Sequence, residues 1–142
     1  MEHRDLIKDQ IEQMGKAIAN VLSNYFGLKN QGRVSEGIEV SNEALKTKLD
    51  IDVDMILSLT GQNLIDYLSL KKLTSDHTEK LADYFIEVGM YLKDLEKGSA
   101  VRIFQRALEL ISIVNMNTTT YSIERKNKEK EVREQLKLCL HT

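Results

Sequence analysis

Residues 81–111, LADYFIEVGMYLKDLEKGSAVRIFQRALELI, decide the fold of this chain. The first half carries apolar residues at steps of four, three, four and three, which places them on one face of a helix: Leu81, Phe85, Val88, Leu92 and Leu95. The second half carries another helical stripe: Ala100, Ile103, Phe104, Ala107, Leu108 and Ile111. The stretch therefore predicts a hairpin of two helices, one from about Asp76 to Leu95 and one from Gly98 to about Asn115.

The same pattern occurs a second time near the N-terminus. Residues 37–45, GIEVSNEAL, align without gaps with residues 100–108, AVRIFQRAL, at an offset of 63 residues. The preceding helices match at an offset of 74, where Ile7, Ile11, Met14-Gly15 and Ile18 correspond to Leu81, Phe85, Val88-Gly89 and Leu92. Because the offsets differ by 11 residues, the first helix is predicted to be about three turns longer than its counterpart and still in phase.

The rest of the chain also reads as helix, and proline, which ends helices, is absent. We predict an all-α single domain over residues 1–142 with about six to seven helices. Its parts are a hairpin over 5–49 (Asp5–Lys29 and Val34–Leu49), short helices over 53–72 (the second Gly61–Lys72), a hairpin over 76–115 and a C-terminal capping helix over 121–140 (Tyr121–Leu140). Polar residues before these helices are the candidate caps: Thr60, Thr74 or Ser75, and Asn117 to Thr120.

Small residues recur at fixed places on the paired helices, at Gly15, Gly37, Gly89, Ala100 and Ala107, and would allow the backbones to approach closely. In this respect Phe85-x-x-Val88-Gly89 and Ala100-x-x-x-Phe104-x-x-Ala107 resemble the tetratricopeptide repeat (TPR) over about Ala82 to Ile111. The motif's tyrosine after the glycine is Leu92 here, its closing proline is missing, and Ser41 replaces the aromatic residue in the N-terminal copy. The resemblance implies stacked, right-handed hairpins.

The same resemblance implies a partner groove on the first helix of the second hairpin. By register its positions are Asp83, Ile86, Met90 and Lys93. With Ile86 and Met90 in the middle, the ligand would be apolar rather than a C-terminal carboxylate. The other possibility is that the middle or last helix of the same chain covers these two side chains.

Three further stretches resemble an uncharacterised bacterial family of small helical proteins. They are Arg4-Asp5-x-Ile7-x-x-x-Ile11-x-Gln13, Gly32-Arg33-x-x-Glu36-Gly37, and Leu49-Asp50-Ile51-Asp52 followed by Leu57-Ser58-Leu59. This second resemblance implies no activity.

Composition excludes several classes of function. A net charge of −2 gives no basic surface of the kind that nucleic acid or an anionic membrane attracts, so we expect neither partner. A single cysteine excludes an internal disulfide and a cysteine-rich zinc site. The first residues, MEHRDLIKDQIEQ, carry charges where a signal peptide needs an apolar run, and no segment reaches the length of a membrane span. We expect a cytoplasmic protein.

No residue pattern predicts a catalytic, cofactor-binding or metal site. The three histidines, His3, His77 and His141, lack metal-ligand spacing, and His77 is interpreted as a surface or capping residue. Cys139 is interpreted as a buried structural thiol. The acidic run Asp50, Asp52 and Asp54 lacks the glycine and the distal glutamate of a calcium loop, so helix capping explains it better.

The sequence therefore predicts a non-catalytic helical-repeat protein that acts through contact with a protein or peptide. The alternative is a small-molecule-binding or catalytic domain with a pocket between the hairpins. Charged residues that converge in a deep, apolar-walled pocket would favour the alternative, and an open apolar groove would favour protein contact.

The long first helix raises a separate question, because the second helix is too short to cover its apolar stripe. The stripe continues through Ile18, Val21, Leu22 and Tyr25. One candidate cover is the last helix, through Leu136, Cys139 and Leu140. The other is a second copy of the chain, since a four-three spacing also suits an antiparallel helix pair. We expect the last helix to be the cover and a homodimer to be the other possibility.

Overall fold

The structure, a computed structural model, describes the backbone of residues 2–141 and the side chains of residues 6–141. Within that part every regular element is a helix, as the sequence predicts. The seven helices are α1 (Glu2–Asn30), α2 (Val34–Leu49), α3 (Val53–Ser58), α4 (Gly61–Leu70), α5 (Ser75–Leu92), α6 (Lys97–Asn117) and α7 (Ile123–Leu140). One cluster of buried side chains draws members from all seven helices, so these residues share one core.

The hairpin of α5 and α6 is built on very close helix packing. A Cβ atom added to Gly89 on α5 would lie 2.5 Å from Cε1 of Phe104 on α6. The side chains of Phe104 and Ala107 are completely buried. The prediction that Gly89 and Ala107 are close-packing positions is therefore confirmed.

The hairpin of α1 and α2 repeats this arrangement with a longer first helix. A Cβ atom on Gly37 would lie 3.4 Å from Cβ of Leu28, so the start of α2 lies beside the end of α1 and the two helices run antiparallel. α1 has 29 residues and α5 has 18, which is the 11-residue difference that the two repeat offsets predict.

The two hairpins meet through α1 and α5, and through the tyrosines that these helices carry. The rings of Tyr25 and Tyr84 meet edge to face with their centroids 5.6 Å apart. The Tyr84 hydroxyl donates a hydrogen bond to Oδ1 of Asn42 on α2 at 2.7 Å. At the end of this interface, Nζ of Lys29 lies 3.0 Å from a carboxylate oxygen of Glu87. Both hairpins are therefore joined by aromatic and polar contacts.

The short helices α3 and α4 are fastened to α6 by an ion pair in which Arg106 is buried and Glu109 is half-buried. Arg106 is 7% exposed and forms a salt bridge with Glu109. Its Nη2 donates to the carbonyl oxygen of Leu57 near the end of α3 at 3.0 Å. The backbone N–H of Gly61, at the start of α4, donates to Glu109. The predicted cap Thr60 stands at the right position, but its side chain accepts no capping hydrogen bond, and Glu109 binds this helix end in its place.

Other helix ends show which local signals decide a boundary. Thr74, one of the two predicted caps of α5, accepts from the N–H of His77, and Asp52 caps α3. The run from Asn117 to Thr120 does not cap the last helix, because the side chain of Ser122 accepts the N–H of Arg125 instead. The last helix therefore begins at Ile123 and not at Tyr121.

The last helix does not cover the first, and this prediction is wrong. α7 packs on α6, whereas α1 packs on α2 and α5. Val132 supplies the buried contact of α7, with Leu136 and Cys139 half-buried beside it, while Leu140 is exposed. The stripe residues Ile18 and Tyr25 are buried without α7, so the uncovered part of α1 is its N-terminal half.

Candidate functional site: an open apolar cleft on α1

The groove implied by the repeat resemblance lies on α5, where side chains of α7 reach it. Nζ of Lys128 on α7 lies 2.9 Å from the Asp83 carboxylate. Nζ of Lys93 donates to Oε1 of Gln135 on α7 at 3.1 Å. Both polar groove positions thus have partners within the chain. The two apolar positions, Ile86 and Met90, are half-buried and pack against the core.

Charge complementarity explains why α7 sits against this face. Lys128 also lies 3.8 Å from both Glu79 and Glu124, and Arg125 lies 3.3 Å from Glu79. Burial raises the pKa of Asp83 above its usual range and outweighs the opposing effect of Lys128. Burial alone would lower the pKa of Lys128, but its hydrogen bond to Asp83 and the surrounding carboxylates raise it. These contacts leave less of the α5 face for a separate partner.

A larger apolar surface lies open on the N-terminal half of α1. Three neighbouring apolar side chains are largely exposed there: Leu6 at 58%, Ile7 at 48% and Ile11 at 40%. Ile7 and Ile11 line a cleft with a volume of about 730 Å³. Its lining residues are Ile7, Gln10, Ile11, Gln13, Met14, Ala17, Leu49, Lys71 and Lys72. We call the α1 part of this lining, together with Leu6, the open α1 face.

The cleft opens where α2 ends. Gly37 on α2 lies beside Leu28 on α1. The two helices run antiparallel with the same rise per residue, so twelve residues along α2 correspond to twelve residues back along α1. Leu49, the last residue of α2, therefore lies near residue 16 of α1. Residues 2–15 of α1 therefore extend past α2 by about 21 Å at 1.5 Å per residue. We call this segment the arm. The apolar stripe of α1 continues along the arm, but α2, which covers the stripe from about residue 16 onward, does not reach the arm.

The turn between α4 and α5 forms another wall of the cleft. Nζ of Lys71 lies 2.8 Å from an Asp50 carboxylate oxygen and 5.5 Å from the centre of the Tyr67 ring. This hydrogen bond raises the pKa of Lys71. Lys72 adopts the left-handed conformation with φ of 59°, so the chain turns sharply and both lysines line the cleft.

A buried histidine joins α5 to the foot of the arm. His77 is 2% exposed, and its Nδ1 accepts the N–H of Thr74 at 3.0 Å. Its Nε2 lies 2.9 Å from the carbonyl oxygen of Ile11, so the geometry fits the neutral ring with its proton on Nε2. The interpretation as a capping residue is confirmed, whereas the surface placement is wrong. His77 is a structural link under the cleft.

The pocket between the hairpins, which the alternative function requires, is small. Its volume is about 200 Å³, below the 300–1,000 Å³ of typical ligand pockets. Tyr84, Val88 and Ile103 are among its walls, while the charged Asp54 and Arg102 that border it have exposed side chains. No carboxylate or base converges with them inside the pocket within the described side chains. This pocket therefore gives the alternative function no support.

The remaining sequence candidates lie apart from one another. Among residues 6–141, no three histidine, cysteine, aspartate or glutamate side chains are grouped so that they could hold a metal ion. Cys139 is half-buried against the core and His141 is exposed after α7, while His3 lies outside the described side chains. None of the helices within residues 2–141 is both long and apolar enough to cross a membrane.

The sequence does not predict two features of the structure: the Arg106–Glu109 ion pair and the exposure of the open α1 face. The Arg106–Glu109 pair has the i,i+3 spacing of an ion pair on one helix, but this spacing does not show that Arg106 is buried. The open α1 face was visible as a stripe, but only the structure shows that its N-terminal part lacks a cover. No protein-family model, curated protein or solved structure matches this chain.

Proposed function

We propose that this chain is a non-catalytic, TPR-like protein of the cytoplasm that acts by binding another protein chain through the open α1 face. The observation that carries the proposal is the exposure of Leu6, Ile7 and Ile11 side by side on the arm. Soluble proteins rarely leave such a contiguous apolar patch in water unless it binds something. The apolar cleft beside the patch is wide enough for more than a single side chain.

The shape of the site favours a helical partner. The open α1 face is a straight helical stripe, and its apolar positions at 7, 11 and 14 suit the packing of an amphipathic helix. Leu49, Lys71 and Lys72 form walls of the cleft, and these walls would fix the position of such a helix. Contacts of this kind rest on burial of apolar area, at about 25 cal/mol per Å².

Site-specific photo-cross-linking tests the proposal. A photoreactive phenylalanine analogue in place of exposed Leu6 is expected to give cross-linked adducts of discrete mass in cells. The same analogue at Ala19 is the control, because Ala19 is exposed and lies nine residues, or two and a half turns, from Gln10 in the cleft. The additional change Ile11→Asp should remove the Leu6 adducts.

Two results would refute the proposal. Irradiation could give no adduct from Leu6, or it could give the same adducts from Leu6 and Ala19. In either case the open α1 face is not a binding surface.

A further inference from the structure

We infer that the cleft is filled by the arm of a second copy of this chain, so that two copies exchange arms in an antiparallel pair. This inference rests on the proposed function, because it names the partner of the same open α1 face. Each arm would lie in the cleft of the other copy, and a two-fold axis would pass near Lys8 and Asp9, at the middle of the arm.

The first argument is the line of the cleft. α2 is the antiparallel neighbour of α1 as far as Leu49, and the cleft continues that line along the arm. A helix that runs antiparallel to α1 in the cleft would therefore prolong the packing that α2 begins. A second arm, laid across a two-fold axis, has this direction.

The second argument is size and spacing. The place open along the arm is about 21 Å long, so a partner helix of about four turns would fill it. Its apolar residues Ile7, Ile11 and Met14 keep the four-three spacing of antiparallel helix pairs. With the axis near Lys8 and Asp9, Leu6 of one copy faces Ile11 of the other, and Ile7 faces Gln10. The open α1 face is thus complementary to itself, as an interface with two-fold symmetry requires.

The third argument is the number of exposed faces that one association removes. Docking of an unrelated helix covers one arm, whereas pairing of two arms covers the exposed Leu6, Ile7 and Ile11 of both copies at once. The pair involves about four helical turns from each copy and the cleft walls, which places it among the smaller protein interfaces. We therefore expect a dimer that dissociates reversibly on dilution.

Sedimentation velocity over a range of concentrations tests the inference. The unchanged chain should shift from monomer to dimer as its concentration rises. Ile7→Asp and Ile11→Asp should each weaken the dimer by about 100-fold or more, because each places two carboxylates in an apolar seam. Ile7 and Ile11 are 48% and 40% exposed, so at concentrations where the unchanged chain is monomeric these variants should keep its helical content and melting temperature. Ala19→Asp, on the far side of α1, should dimerise normally.

Disulfide cross-linking tests the antiparallel register. In a Cys139→Ser background, Gln10→Cys lies near the two-fold axis and should form a disulfide-linked dimer under mild oxidation. Ala19→Cys should not, because it faces away from the cleft. Equal cross-linking at the two positions would overturn the register and with it the arm exchange.

The outcomes separate this inference from the proposed function. A chain that stays monomeric at every concentration, but whose Leu6 cross-links to a different protein, overturns the arm exchange and leaves the binding function standing. A dimer that persists unchanged in Ile7→Asp and Ile11→Asp also overturns it, because the contact then lies elsewhere. A chain with neither a dimer nor any Leu6 adduct overturns both.

Discussion

Replacement of Gly89 by alanine tests the close packing of α5 on α6. The added Cβ would lie 2.5 Å from Cε1, 2.8 Å from Cδ1 and 2.9 Å from Cζ of Phe104. Real Cβ contacts are essentially never this short, so the ring or the helix must move. The ring is completely buried, and therefore any movement disturbs its other neighbours. We expect Gly89→Ala to destabilise the protein.

The magnitude follows from two opposing effects. In an ordinary helix interior, a change from glycine to alanine stabilises by roughly 0.8–1.0 kcal/mol. Overpacking of a well-filled core costs roughly 1–3 kcal/mol. At 2.5 Å the clash should exceed the helix gain, which leaves a net loss of about 1–2 kcal/mol. For a chain of this size that corresponds to a fall in Tm of roughly 3–8 °C.

Chemical and thermal unfolding, followed by far-ultraviolet circular dichroism, measure this change. Gly27→Ala is the matched control, because nothing lies within 4 Å of the added Cβ and only the helix gain should remain. Gly15→Ala should also stabilise, since its Cβ would meet His77 Nε2 at an ordinary 3.6 Å. Phe104→Leu should relieve the clash, so the double variant should lose less stability than the two single changes added together. If Gly89→Ala gains as much stability as Gly27→Ala, the close-packing argument is wrong.

Three further predictions concern buried polar groups. Tyr25→Phe should keep or raise Tm, because the buried Tyr25 hydroxyl has no hydrogen-bond partner among the described residues. Tyr84→Phe should instead lower the free energy of unfolding by about 1 kcal/mol, because the hydrogen bond of its hydroxyl to Asn42 is lost. Burial raises the pKa of Tyr25 from 10.0 to about 12, so folding favours the neutral hydroxyl. The resulting stability, roughly 3 kcal/mol, is complete below pH 10 and should be lost as the pH rises through 12. Alkaline unfolding of Tyr25→Phe should accordingly begin at a higher pH, and an unchanged midpoint would contradict this. Arg106→Ala should cost about 3 kcal/mol and speed amide hydrogen exchange in α3 and α4 relative to α5; uniform exchange rates would show that the ion pair does not fasten these helices.

Most of the fold follows from local signals in the sequence. The predicted span Val34–Leu49 is the span of α2, because both of its ends coincide with a break in the apolar stripe. The first hairpin helix of the second repeat ends at Leu92, three residues before the predicted Leu95. Leu95 continues the stripe but is 66% exposed, since the carbonyl of Leu92 accepts the N–H groups of Leu95 and Glu96 in a turn. The spacing of apolar residues alone does not predict such a turn.

The other errors share one physical cause, which is contact between residues far apart in the chain. Glu109 binds the start of α4 from 48 residues away, so a search for caps next to the helix finds Thr60 instead. A helix whose middle is as charged as that of α7 is expected to leave this part of its surface in water. Its lysine and arginine side chains instead reach carboxylates of α5, such as Glu79 and Asp83, across the groove that the repeat resemblance implied. Patterns along one helix do not show which neighbour that helix meets.

The arm is not the part of α1 that lengthens the first hairpin. By the offset of 74 residues the arm corresponds to most of α5, and the 11 residues by which α1 exceeds α5 lie at the C-terminal end of α1. Leu6 and Ile7 on the arm are about half exposed, so they contribute little to the core of their own chain. Polar residues there would leave the described core intact and would remove an exposed patch that favours aggregation. An apolar arm is therefore explained by a contact outside the chain, and the direction of the cleft beside it suits a second arm.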